Sequence, residues 1–326
     1  MDINAFTVIM LALISLALIS VIMIFAVAFY IFRKALSRSD DPEVDDFERE
    51  YHSHVPTPEG EAVLRRSFDE YARLASEAER VSIRSAHDGV VLFARVIKPS
   101  AAPKGTVILA HGFHGSCRCD LCIPACALHD EGYRLIAVTQ RAHRESGGKN
   151  ISLGVLESRD MLEWCEYAAK RYGAEHPIAL YGASMGGTSV MLSARLTLPS
   201  NVRCVISDGG FNIPSKVLSL KLKSMRIPRF PFMPVVALYA RLLGGFSLFA
   251  KGVEHSAAAS SLPFLLLYGS DDRTVPLYMG KSIADACGQR GMLLVFEGAR
   301  HLDCADREPE RYLSAVLRFL EKNMSV

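Results

Sequence analysis

The chain has 326 residues, half of them apolar and 22% charged, which is enough for one large domain with an appendage. The formal net charge is +2, and no long basic run interleaved with aromatics occurs, so nucleic-acid binding is set aside. Eight cysteines in a chain of this size agree with a reducing compartment.

The surplus of apolar residues sits at the N-terminus. From Ala5 to Phe32 there are 28 residues without a charge. As a helix they would span about 42 Å, longer than the roughly 30 Å hydrocarbon layer, so they can cross a bilayer with tilt. A cleaved signal peptide fits less well, because the run is too long and no basic segment precedes it. Asp2 lies before the run, and Arg33, Lys34 and Arg38 lie just after it. The positive-inside rule then places everything that follows in the cytoplasm, as a single-pass membrane protein with its anchor at 1–38. Next comes "SDDPEVDDFERE", with seven acids and a proline in twelve residues, read as a solvated linker over 39–57. A helix is predicted from Pro58 to Glu79, where Val63, Phe68, Tyr71 and Leu74 form a partial stripe.

From Val81 the pattern becomes short apolar strands alternating with helices. "VSIRSA" and "VVLFARVIK", joined at Asp88-Gly89, predict a hairpin. The strands "GTVILAHG", "YRLIAVTQ", "PIALYGAS", "VRCVISDGG", "PFLLLYGS" and "GMLLVFEGA" follow, with helices between them and a last helix near Pro309–Lys322. Continuous apolar strands between helices imply a mostly parallel sheet of about eight strands, covered on both faces. The domain would run over 58–326.

"GASMG" at 182–186 matches G-x-S-x-G, in which a serine sits on a sharp strand-to-helix turn and small neighbours leave it room. The turn places Ser184 at a helix N-terminus, where developing negative charge is favoured. A serine hydroxyl needs a base, and the base an orienting acid. Downstream, "GSDDRTVP" offers Asp271 and Asp272 just past one strand, "VISDGG" offers Asp208 at the end of another, and "GARH" offers His301 past the next. The order serine, acid, histidine suits this type of sheet, and Met185, the residue after the serine, would supply one backbone N–H to a tetrahedral oxyanion.

The motifs "GASMGG", "GSDDRTVP" and "GARH", in that order, resemble those of the α/β-hydrolase superfamily. The likeness is greatest to a bacterial membrane-anchored group similar to serine aminopeptidase-like hydrolases and monoacylglycerol-lipase-like esterases. It covers about three-quarters of the chain, from about Val81 to Leu320. The resemblance implies Asp272 as the acid of a Ser184–His301–Asp272 triad and Phe113, in "HGFHG", as the second oxyanion amide. It also implies a small helical cap, here the insertion at about 211–256, and no cofactor or metal. One departure from the group is "TQRAHRESGG" at 139–148, which has threonine where an acid is usual and Arg144 where a glycine is usual. This loop is expected to support the oxyanion loop.

Four cysteines crowd "CRCDLCIPAC" after that loop. Their spacing matches no common zinc pattern, and Cys119, Cys122 and Cys126 fall on one face of a helix expected to pack on the sheet. Cys117, and after it Cys119, lie nearest the helix N-terminus and are candidates for redox sensitivity. Glu157 and Asp160, three apart on a helix, are read as surface or ion-pair residues. Between Phe211 and Lys251 lie seven basic residues (Lys216, Lys221, Lys223, Arg226, Arg229, Arg241, Lys251) and no acid. Apolar Phe230, Phe232, Met233, Val235, Leu238 and Phe249 interleave with them, so this lid is expected to touch anionic lipid headgroups. The expected activity is hydrolysis of an ester or thioester, with a lipid-derived substrate favoured by the tether. The alternatives are an aminopeptidase-like peptidase and a catalytically silent, membrane-tethered binding module.

Overall fold

A computed structural model describes residues 3–38 and 57–325. The acidic linker expected at 39–57 lies outside these, apart from Thr57. Helix α1 runs Ile3–Leu36 and α2 runs Pro58–Glu77, capped by the Thr57 hydroxyl on the Gly60 N–H at 3.0 Å. The strands are β1 (Glu79–Arg84), β2 (Val91–Ile97), β3 (Gly105–Ala110), β4 (Tyr133–Thr139), β5 (Ile178–Ala183), β6 (Val202–Asp208), β7 (Phe264–Gly269) and β8 (Gly291–Phe296). They form one sheet in the order β1-β2-β4-β3-β5-β6-β7-β8. β1–β2 and β2–β4 pair antiparallel, and every other pair is parallel.

Every residue of β3, β5 and β7 is buried, because helices cover both faces of the sheet. The helices between strands are α3 (Cys117–Asp130), α4 (Glu157–Tyr172) and α5 (Met185–Ser193). Between β6 and β7 come α6 (Pro214–Ser224), α7 (Arg229–Gly244) and α8 (Val253–Ala259), and the chain closes with α9 (Leu277–Cys287), α10 (Cys304–Arg307) and α11 (Pro309–Met324). Two apolar clusters fill the space on opposite sides of the sheet: one joins α1, α4, α5, α7 and α9, the other α2, α3 and α11. α8 packs on α5 and α9, so the third helix of the β6–β7 insertion is part of the main body.

α1 is long and apolar enough to cross a membrane. Its last turns are not free for lipid: Ala28, Ile31, Phe32 and Leu36 are buried. Tyr239 of α7 meets the rings of Phe25, Phe29 and Phe32 at 5.3–6.4 Å, and its hydroxyl donates to the Phe25 carbonyl at 3.4 Å. That leaves residues 6–27 exposed or half-buried, a length of about 33 Å that matches the hydrocarbon layer.

Two sequence expectations change. Cys126 meets α2, its thiol 3.4 Å from the Ser67 carbonyl oxygen, and Cys119 is only half-buried. The thiol that reaches the sheet is Cys117, 3.7 Å from Leu109 O and 3.8 Å from Val138 O. The reason is that α2 folds back over α3 and makes α3 an inner helix with two covered sides. Burial pushes the Cys126 thiol up to about 12 and Cys122 well above the usual range, so both stay protonated and act as small apolar groups.

Asp160 takes the ion-pair role that the sequence allowed, while neither it nor Glu157 lies at the surface. Asp160 takes Arg141 bidentately, with both N–O distances 2.6 Å and both side chains 3% exposed, and Arg141 reaches Asp88 at 2.8 Å. Glu157 is fully buried and accepts from the Ser152 N–H at 2.8 Å, the Gly154 N–H at 2.9 Å and the Ser152 hydroxyl. Its carboxylate thus closes the turn before α4, since buried charge has to be met by donors.

Candidate active site

The β5–α5 turn carries Ser184 at φ 50°, ψ −114°, a left-handed conformation that a non-glycine residue holds only under local constraint. The constraint is the backbone N–H of Ser184 bonded to Asp208 O at 2.7 Å. Glycine is required on both sides for space. A Cβ on Gly182 would stand 2.2 Å from the Gly186 carbonyl, and a Cβ on Gly186 would stand 1.9 Å from Ala110 O. The G-x-S-x-G pattern is therefore a steric consequence of the turn's tightness.

The structure brings Ser184, His301 and Asp272 together from three strand ends. His301 Nε2 lies 2.9 Å from Ser184 Oγ, and His301 Nδ1 lies 2.6 Å from Asp272 Oδ2. Asp272 is 5% exposed and Ser184 8%, so both ends of the relay are buried. The other oxygen of Asp272 accepts from the Thr274 and Val275 N–H groups at 2.8 and 2.7 Å. Asp272 thus caps its own turn, and Asp271, the neighbouring candidate acid, is exposed. A carboxylate with its second oxygen committed to the backbone cannot rotate, which fixes the imidazole plane.

Asp208, the third candidate acid, sits behind these residues. Its Oδ2 accepts from the Tyr312 hydroxyl at 2.6 Å, Tyr312 shares a hydrogen bond with Tyr181, and Oδ1 has no partner among the described residues. Burial pushes Asp208 up to about 7 from the ordinary 3.8, so between these values the folded chain holds a proton there that the unfolded chain lacks. A raised folded value means that stability from this group is present below pH 3.8 and is lost as pH rises towards 7. Asp208→Asn should therefore gain on wild type as pH rises, by several degrees in melting temperature between pH 5 and pH 8. Melting curves at the two pH values measure this, and an unchanged difference would show that Asp208 is not held neutral by the fold.

The loop at 111–115 lies against the serine: a Cβ on Gly112 would stand 3.3 Å from Ser184 Cβ. Phe113 is in this loop, 40% exposed, and Met185 begins α5 with its side chain fully buried. The loop's neighbours were largely unread in the sequence. Asp120, in the first turn of α3, accepts from the Gly112 N–H at 2.6 Å. His111 Nδ1 faces Gly112 O at 2.8 Å, and its Nε2 accepts from the Gln140 N–H at 3.1 Å. His143 takes the His114 N–H on Nε2 at 3.2 Å while its Nδ1 faces Arg141 O at 2.9 Å. Burial drives His143 down to about 4 and His111 well below its usual range, so both imidazoles stay neutral and can accept. Arg144 donates to Gly115 O at 2.5 Å. The 139–148 loop does hold the 111–115 loop, through His143 and through Arg144, the latter standing where the family pattern has glycine.

A serine on a strand–helix elbow beside a histidine and a buried acid, on a sheet of this order, defines the α/β-hydrolase fold. Residues 105–234 match the family model described as "alpha/beta hydrolase fold", the fold that the chain shows. It is 27% identical over 274 residues to a monoacylglycerol lipase of Mycolicibacterium smegmatis, covering 71% of this chain and 94% of that one. It is 24% identical over 195 residues to the uncharacterized protein YqkD of Bacillus subtilis, covering 59% of this chain and 63% of YqkD. Among solved structures, the Pyrococcus furiosus esterase PF2001 aligns with a TM-score of 0.65 at 21% identity, over 88% of this chain and 99% of that one.

Proposed function

We propose that this chain is a membrane-tethered serine hydrolase of carboxylic esters, working through an acyl-enzyme on Ser184. The observation that carries the proposal is the unbroken Ser184–His301–Asp272 relay at 2.9 and 2.6 Å. With Nδ1–H donated to Asp272, the lone pair on Nε2 faces the serine hydroxyl, and the imidazole can take that proton as Oγ attacks the carbonyl carbon. The oxyanion that forms is received by the Phe113 and Met185 N–H groups. The imidazolium then returns its proton to the departing alkoxide, leaving Ser184 acylated. A water molecule, deprotonated by the same nitrogen, releases the acid and restores the serine.

Ester and thioester leaving groups need less protonation than amines, which favours them over peptides. A lipid-derived acyl substrate fits the surroundings. All seven basic residues between 211 and 251 are exposed, as are Phe230 (80%), Leu238, Leu242 and Phe249 on the same insertion, and α7 of this insertion carries the end of α1. Met233, counted with that apolar surface from sequence, is 1% exposed and packs inward. Arg33 and Lys34 at the end of α1 favour a cytoplasmic domain.

The experiment is an acyl-chain series of p-nitrophenyl esters beside aminoacyl p-nitroanilides, using full-length protein in vesicles. The expected result is ester turnover with a chain-length optimum above the shortest acyl groups and little or no anilide cleavage. Preferred anilide cleavage would make the chain a peptidase, and no turnover of either would favour a binding module. In intact cells, external protease should leave the domain uncut; cutting would reverse the topology.

A further inference from the structure

The residues that leave α1 are sewn into the loop network behind the 111–115 loop. Leu36 O accepts from the Ile151 N–H at 2.8 Å, the Arg38 N–H donates to Lys149 O at 2.9 Å, and Ser37 bridges to Asn150. The Arg38 guanidinium then gathers carbonyl groups of the next loop. Its Nη1 donates to Ser146 O at 2.6 Å and stands 3.4 Å from Gly148 O, and its Nη2 donates to Arg144 O. The loop so held is constrained at its other side by the Ser146 hydroxyl, which donates to Thr139 O at 2.5 Å and accepts from the Phe93 N–H at 2.9 Å.

What this loop does is hold the 111–115 loop. Arg144 is in the left-handed region at φ 42°, with its carbonyl taken by Arg38 and its own guanidinium donating to Gly115 O. His143, one residue earlier, takes the N–H of His114, itself left-handed at φ 58°. Three elements are thus in series: the end of the apolar helix, the 143–148 loop, and the two residues that follow Phe113. Left-handed non-glycine residues persist only where neighbours hold them, and here the holders are His143 on His114, Arg38 on Arg144, and Arg144 on the carbonyl that follows His114.

We infer that Arg38 and Arg144 are positioning residues for the oxyanion loop, so that the end of the membrane helix is a working part of the site as well as a tether. This rests on the reading of Phe113 N–H as an oxyanion donor. Neither arginine touches the reacting atoms; each acts through the backbone it holds. Arginine suits the task because its planar fork presents several fixed donors, which a lysine ammonium does not. The usual glycine at position 144 would accept the left-handed backbone without strain but would leave Gly115 O without this donor.

The test uses full-length protein in vesicles, as wild type, Arg38→Ala, Arg38→Lys, Arg144→Gly and the double variant Arg38→Ala/Arg144→Gly. Two readouts are taken: hydrogen exchange of the peptide covering 111–116, and steady-state p-nitrophenyl ester hydrolysis. Losing a whole oxyanion donor costs about 10²–10³-fold in kcat, so loosening one is expected to cost about tenfold, with KM within about twofold. Arg38→Ala and Arg144→Gly should each show this drop and faster exchange at 111–116. The double variant should lose much less than the product of the two single losses, because both act on one loop. Arg38→Lys should recover only part of the rate. Exchange at 111–116 unchanged in both single variants would overturn the inference, as would kcat within twofold of wild type in both or a change carried by KM. If the wild type turned over no ester, the proposed function would fall, while the exchange readout would still decide whether the two arginines hold the loop.

Discussion

Ser184→Ala is expected to lower ester hydrolysis by on the order of 10⁴–10⁶-fold while the protein remains folded. The hydroxyl is the only atom removed, and no backbone bond of the elbow depends on it: the Ser184 N–H still meets Asp208 O, and Thr188 N–H still meets Ser184 O at 3.0 Å. His301 loses its partner on Nε2 but keeps Asp272 on Nδ1. The melting temperature should therefore shift by no more than about 2 °C, the effect of roughly 1 kcal/mol in a domain of this size. Kinetics against a chromogenic ester, with a thermal melt of the same preparation, separates the two effects. Retention of more than a few per cent of the wild-type rate would show that another group delivers the nucleophile.

Asp160→Ala is expected to give the largest loss of stability of any single side chain discussed above, about 3–5 kcal/mol. The substitution does more than delete an attraction. It leaves the Arg141 guanidinium, 3% exposed, with one remaining carboxylate, Asp88, whose side chain is 32% exposed. A buried cation without its partner costs more than the pair contributes, so Asp160→Asn, which keeps an acceptor oxygen in place, should lose clearly less. Urea unfolding of the three proteins in matched detergent measures this. A loss below about 1 kcal/mol for the alanine variant would mean that water reaches Arg141 in the folded state. Arg141 O also accepts from His143, so the same pair anchors the root of the loop that holds His114.

The sheet was legible because its strands are continuous apolar runs alternating with helices, the pattern of a doubly covered parallel sheet; β3, β5 and β7 are buried at every residue, as those runs imply. Asp88-Gly89 marked the hairpin correctly, with β1 and β2 antiparallel around it and Gly89 at φ 73°. The candidate site was legible for a related reason. Its residues lie at strand ends, where local motifs record steric and turn requirements, and the structure gathers Ser184, His301 and Asp272 within hydrogen-bond reach.

What escaped the sequence has no local signature. The seat of α1 on α7 joins Phe25 and Tyr239, 214 residues apart, and an aromatic in either helix reads equally well as facing lipid. Arg38 reads as one of three positive-inside charges, and nothing in its neighbourhood marks a guanidinium that will meet carbonyl oxygens over 100 residues away. Asp120 reads as a first-turn helix acid, although it holds Gly112 N–H. The cysteines were assigned to the sheet because periodicity shows which residues share a face, not which element that face will meet.

A fluorophosphonate probe reacts with a serine only when a base has made it nucleophilic, so it reports on Ser184, His301 and Asp272 as one unit. Intact-protein mass with peptide mapping should show one adduct per chain, on Ser184, in the wild type. It should show none in Ser184→Ala and strongly slowed labelling in His301→Ala. An unlabelled wild type, or equal labelling of wild type and Ser184→Ala, would contradict the assignment of this site to acyl transfer.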